Sequence, residues 1–246
     1  MSDFGLCGLR TVELIAELLR LNPEIQSLSL FEPEAVPLAQ VRLPTDNVTN
    51  GIVSSGLAIR EAHGTPFWDS VLVSCFGRGS GALPVLKQAE FHNSRSVRKL
   101  HVQADSWGPP LWEELLSSIA PGNMLVLSSR VQLRNGEVRH VPMLDFHCPA
   151  SFENEELAAI AASLVETGRG FLLRSGDSYH YYGSTLFDDA ALPHFLGRAL
   201  LLSPIIDRAW IAHQLIESGC ALRISKKPTG GGEPVVVRAI ASSSES

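Results

Sequence analysis

Lysine is scarce in this chain. Lys87, Lys99, Lys226 and Lys227 are the only four among 246 residues, and arginine supplies the remaining positive charge. With a formal net charge of −6, the protein lacks the phosphate-neutralising excess on which non-specific nucleic-acid binding rests. That argues against a strong free-standing DNA binder and leaves room for a local basic groove. Cysteine is sparse as well: Cys7, Cys75, Cys148 and Cys220 are dispersed, with no Cys-x-x-Cys pair. This speaks against a structural zinc site and a disulfide framework, and a reducing, cytoplasmic setting is expected. The apolar run at 199–206 is far too short to span a bilayer. Residues 1–4 carry neither a basic n-region nor an apolar h-region, so no signal peptide is expected. Hydrolase and zinc-protease motifs are missing too, since there is no Gly-x-Ser-x-Gly elbow and no His-Glu-x-x-His helix. The glycine-rich stretch at 76–81 lacks the Gly-Lys-Ser/Thr ending of a phosphate loop and reads as a connection.

What is present suits a folded protein. Hydrophobic residues make up 45% and charged residues 19%, enough to bury a sizeable core in one or two units. Apolar positions Val12, Leu14, Ile15, Leu18 and Leu19 predict a helix over 9–21, stopped by Asn22-Pro23. Strands are expected at 52–60, 71–76 and 97–103, and a short helix after Pro109-Pro110. Two β-rich runs, 124–133 and 138–146, flank Asn135-Gly136, the preferred two-residue hairpin turn. A helix over 154–166 should bury Leu157, Ile160, Ala161 and Leu164. A hairpin over 171–182, helices over 188–202 and 206–218, a helix cap at Gly219, and strands at 221–225 and 234–240 complete the pattern. The fold class is therefore α+β, with the C-terminal half a two-layer sheet carrying helices on one face. Residues 241–246 read as a flexible tail.

Polar landmarks recur where elements end. Asp145-Phe146-His147 closes an apolar strand, with Asp145 and His147 on one face. Ser175-Gly176-Asp177-Ser178-Tyr179-His180 forms a turn in which Gly176 permits tight curvature and Ser178 and His180 alternate onto the same side. Ile206-Asp207 precedes a helix, and Arg223-Ile224-Ser225-Lys226-Lys227 ends a strand. Each has a plain alternative: Asp145 as a turn former, His147 as a core or surface residue, the hairpin tyrosines as packing, Asp207 as a helix cap, the basic run as a solvated end. Taken together they could face one cleft, with carboxylates for a divalent metal and donors for phosphate oxygens.

The order of these landmarks resembles the archaeo-eukaryotic primase superfamily, whose motifs are an acid pair on a strand, a small-x-His hairpin and a third acid. The resemblance covers roughly residues 120–240 and implies a primase-polymerase-like module with an RRM-like core over 121–240. Residues 1–120 would form an N-terminal α/β unit of the same module. Asp145 and Asp207 match the catalytic acids, and Ser178 and His180 the nucleotide contacts. Arg223 and Lys226 match the basic stretch that faces phosphates. The metal set would be Asp145, His147 and Asp207, holding Mg²⁺ or Mn²⁺. His147 stands where the family carries its second acid, and imidazole suits Mn²⁺ better than Mg²⁺. The implied function is binding of a nucleoside triphosphate and divalent metal near DNA or RNA, with nucleotidyl transfer as the reaction. The alternative is a degenerate, non-catalytic nucleotide- or nucleic-acid-sensing module working with other protein subunits. His180 is expected on an exposed functional face.

Overall fold

The computed structural model describes residues 7–33, 43–92, 96–165, 169–228 and 230–241. The chain divides into two compact units, one of residues 1–34 with 95–246 and one of residues 35–94. The first unit opens with α1 (Thr11–Leu21), which buries Val12, Leu14, Ile15 and Leu18 as the apolar spacing requires. Glu13 reaches back to the Arg10 N–H at 2.6 Å, so one otherwise unsatisfied donor at the helix start is answered. The chain then enters β1 (Ile25–Pro33).

The second unit is helical, which corrects the strands expected at 52–60 and 71–76. α2 (Asn47–His63) starts at Asp46, whose carboxylate accepts the N–H groups of Val48 and Thr49, and ends at Gly64 in the left-handed region. Its buried positions Thr49, Ile52 and Gly56 follow helical spacing, not the alternation of a strand. Caps at both ends therefore outweigh the β-branched composition that suggested strand. α3 (Phe67–Val73) lies so close to α2 that a Cβ on Gly56 would stand 2.8 Å from the Val71 backbone. With a 3₁₀ turn (Gly79–Ala82) and α4 (Leu83–Ala89), they enclose Leu43, Ile52, Val71, Ala82 and Val85.

Back in the first unit come β2 (Ser96–Gln103), α5 (Pro109–Ser118) and β3 (Val126–Leu133). Prolines in the first turn of α5 cost no hydrogen bond there. The boundary expected near residue 120 falls inside this unit, between α5 and β3. The Asn135-Gly136 turn forms with Gly136 at positive φ and leads into β4 (Val138–His140). The single strand expected over 138–146 is broken. Pro142 has no N–H to give a ladder, and beyond it β5 (Met143–Asp145) joins a different sheet. α6 (Phe152–Val165), β6 (Gly170–Arg174) and β7 (Tyr179–Gly183) follow, then α7 (Ala191–Leu200), α8 (Arg208–Glu217), β8 (Ala221–Arg223) and β9 (Val235–Ile240).

Two antiparallel sheets result. One runs β2-β1-β3-β4, with β8 also paired to β3, and the other runs β5-β7-β6-β9. The architecture is α+β with eight α-helices among the described residues, and the strands of the C-terminal half divide between two sheets where one sheet with helices on one face was expected. No helix among the described residues is long and apolar enough to cross a membrane. Ser218, not Gly219, takes the left-handed position that ends α8. The largest departure is in α6. It buries Ala158, Ala159, Ala161, Ala162 and Val165, while Leu157, Ile160 and Leu164, expected inside, face outward. The physical reason lies in β7: α6 packs against the side of that strand carrying the buried Tyr179, whose hydroxyl bonds to Ser151 just ahead of the helix, and small residues on the helix accommodate such bulk.

Tyr181 also fixes β6. A Cβ built on Gly170 would meet the Tyr181 ring and hydroxyl at 2.2–2.4 Å, and that ring is fully buried. Gly170→Ala should therefore lower unfolding free energy by about 1–3 kcal/mol through overpacking. Urea unfolding of both proteins checks this; equal midpoints would mean that the ring has room to move.

Candidate functional site

The landmarks meet because of strand register. Asp145 on β5 pairs with His180 on β7, and His180 pairs in turn with Leu173 on β6. Beyond β5 the backbone is handed to the segment before α8. Phe146 donates to the Tyr179 carbonyl at 3.0 Å and His147 to that of Ile205 at 2.9 Å, while Asp207 donates to the Asp145 carbonyl at 2.9 Å. Three landmarks distant in sequence are thus tied by main-chain bonds. Arg223 arrives from β8, in the other sheet. Its guanidinium donates to Ser175 Oγ at 2.7 Å, to the Gly232 carbonyl at 3.2 Å and to the Ser225 carbonyl. The site is a recess where the edge of one sheet meets a strand of the other.

Polarity inside the recess is poorly compensated. His180 Nδ1, Arg223 Nε and the Tyr182 hydroxyl are buried and find no hydrogen-bond partner among the described residues. Burial holds the His180 imidazole down at about 3, with the Arg223 and Lys227 charges adding to the effect, so it is neutral. Burial pushes Asp145 up to about 7; the Asp207 carboxylate reinforces this, and Lys227 and Arg223 oppose it. The Asp145 side chain still keeps 30% of its surface open, so water reaches part of the carboxyl. Asp145 Oδ1 lies 3.6 Å from His180 Nε2. With His180 neutral, this is a contact and not an ion pair. Burial likewise raises Tyr182 and lowers Arg223.

The sequence-derived candidates fare unequally. Asp145, His180 and Arg223 share the recess. His180 is buried, not exposed as expected, because β7 is covered on both sides. Asp207 is near enough for its charge to act on Asp145, yet its carboxylate also caps α8 by accepting the Trp210 N–H at 3.0 Å. Ser178 points its hydroxyl at the carbonyls of Phe146 and Cys148, at 2.5 and 2.9 Å. One hydroxyl proton shared between two carbonyls makes it a clamp on the Asp145 strand. Lys226 is exposed, and it is its neighbour Lys227 whose charge reaches both Asp145 and His180. Among the described residues no three His, Cys, Asp or Glu side chains form a group able to hold a metal ion. Sequence reasoning missed Ser175, Tyr182 and Lys227. All three lie in the runs already singled out, and only the folded contacts distinguish them from their neighbours.

The family model described as archaeo-eukaryotic primase 1D-like (AEP-like) covers residues 110–232, which holds every candidate residue above. No curated protein and no solved structure matches.

The two perturbed groups leave opposite marks on stability. Asp145 keeps its proton in the folded state up to about pH 7, against 3.8 without the fold, so its contribution falls as pH rises through that window. His180 refuses a proton down to about 3, against 6.5, so its contribution is lost as pH falls from 6.5. Asp145→Asn should remove the first slope and leave the second. The variant should be more stable than the parent above about pH 7, on the order of 2 kcal/mol after screening by the water that reaches the side chain. The advantage should vanish below about pH 4. Thermal unfolding across this range tests it, and parallel profiles would place Asp145 in an ordinary environment.

Proposed function

Because the chain belongs to the archaeo-eukaryotic primase 1D-like (AEP-like) family, we propose that its recess binds a nucleoside triphosphate in work on nucleic acid. The observation that carries this reading is that His180 Nδ1 and Arg223 Nε, in two groups close enough for one charge to act on the other, are both buried and lack partners among the described residues. Buried donors left unsatisfied are costly, and phosphate oxygens are the acceptors that a guanidinium and an imidazole N–H serve best. Lys227, with Lys226 beside it, supplies the further positive charge. Asp145 and Asp207 supply the negative side. Magnesium is commonly held by one or two carboxylates together with substrate phosphates. The substrate in this reading is therefore a Mg²⁺– or Mn²⁺–triphosphate that brings its own oxygen ligands to an incomplete set.

Two readings follow for what happens next. In the first, the oxygen of a 3′-hydroxyl attacks the α-phosphate, the bond from the α-phosphorus to the bridging oxygen breaks to release pyrophosphate, and the hydroxyl proton passes to solvent; the protein contributes positioning and charge, which is most of what phosphoryl chemistry asks of it. In the second, the triphosphate is bound and sensed without transfer. Two features favour the second: the resemblance sets His147 where the family carries its second acid, and the Asp207 carboxylate already caps α8.

Calorimetric titration with Mg²⁺– and Mn²⁺–triphosphates tests binding. His180→Ala should weaken it about 10- to 100-fold, the worth of one hydrogen bond to a charged group, and because the ring is buried the variant's unfolding is measured alongside to separate lost binding from lost folding. Arg223→Lys keeps the charge but loses the fork and should show a comparable loss. Absence of binding by the parent would end the reading. Primer extension separates the two outcomes. Little synthesis with Mg²⁺, more with Mn²⁺, and a gain on His147→Asp would identify a degraded catalytic site. Robust Mg²⁺-dependent synthesis abolished by Asp145→Ala would establish transfer.

A further inference from the structure

α6 is built inside out. Its inner face is alanine, whereas Leu157, Ile160 and Leu164 stand 37%, 51% and 56% exposed. A single exposed leucine needs no explanation. Here, however, Glu153, Leu157, Ile160 and Leu164 recur four, three and four residues apart, which is the spacing of one helix seated against another. The end of α7 extends the patch. Arg198 donates to the Leu164 carbonyl at the C-terminal end of α6, and one turn further Leu201 is 84% exposed.

Charge says what covers this face. Glu153 and Glu156 are exposed at the N-terminal end of the seam, while Glu155 is taken by Arg238 at 3.2 Å. Exposed Arg198 marks the opposite end. The acidic and basic ends match each other only if a second helix runs antiparallel, and then they match twice. A two-fold axis requires this kind of self-complementarity.

We propose that α6 is the interface of a homodimer, pairing antiparallel with α6 of a second copy. Leu157, Ile160 and Leu164 interdigitate along the seam, and Glu153 and Glu156 of each copy face Arg198 of the other. The helix has 14 residues and is about 21 Å long, so the interface belongs to the small, concentration-dependent class. α6 packs on the Tyr179 side of β7, with the Tyr179 hydroxyl bonded to Ser151. His180 and Tyr182 project to the other side of that strand, so dimerisation leaves the recess open. The proposal is independent of what the recess binds.

Sedimentation velocity over a concentration series tests it. The parent should pass from monomer to dimer, and Ile160→Glu should weaken association about 30-fold or more, as loss of a central anchor does. Ile160 is half exposed, so the variant should melt like the dilute parent. The doubly reversed chain Glu153→Arg/Glu156→Arg and the chain Arg198→Glu should each self-associate poorly. Their equimolar mixture should recover the dimer, because each then meets its complement. A parent that stays monomeric at millimolar concentration would overturn the proposal, as would an Ile160→Glu chain that associates like the parent. A monomeric parent that floats with lipid vesicles would assign the face to a membrane surface instead.

Discussion

The recess depends on the antiparallel pairing of β5 with β7. β5 is only three residues long, too short to be held by its own ladder. It is kept in place by the register that sets Asp145 opposite His180, by Ser178 gripping the carbonyls of Phe146 and Cys148, and by the backbone bonds between 145–147 and 205–207. A slip of one residue would turn Asp145 to the opposite face of the sheet. Ser178 therefore serves the site by fixing the strand that presents its carboxylate. That role is visible only once the hairpin is seen to close over the strand end.

Local chemistry was legible where a few neighbouring residues decide the outcome. The Asn135-Gly136 turn, the proline start of α5 and the end of α1 before Pro23 all form as their residues demand. The misreadings have two causes: local signals outweighed by composition, and partners distant in sequence. Residues 52–60 are β-branched and glycine-bearing enough to read as strand, yet Asp46 and Gly64 cap a helix around them. The run 138–146 is uniformly strand-like, but one proline hands its second half to another sheet. In α6 both faces are apolar, so periodicity could not choose between them, and the bulk of Tyr179 on the strand beneath made the choice.

The candidate site was legible as a set of landmarks more than as a set of roles. Asp145, His180 and Arg223 do converge. Electrostatic character was out of reach of the sequence, because it comes from burial. An aspartate that holds its proton to about pH 7 and a histidine that refuses one down to about 3 differ from ordinary residues only in their surroundings. Lys227 outranks Lys226 for a similar reason, since which of two adjacent lysines reaches the recess depends on how the chain leaves β8.

The same surroundings explain why a protein would retain so unfavourable a cluster. Burying Arg223, His180 and Tyr182 with nitrogen and oxygen atoms left unanswered weakens the fold, and apolar residues of similar size would pack there at less cost. Arg223 is nonetheless fastened by Ser175, Ser225 and Gly232, which aims the guanidinium while leaving Nε without a partner among the described residues. A group fixed in direction and short of a partner has already lost the entropy that binding would otherwise take from it. Asp145 opposes the cluster with a charge that its own environment suppresses. A cation-bearing anion would satisfy both sides at once, drawing the proton from Asp145 while accepting from His180 and Arg223. Neither half of the recess is comfortable without the other's counter-charge, and a ligand that carries both signs would relieve the two together.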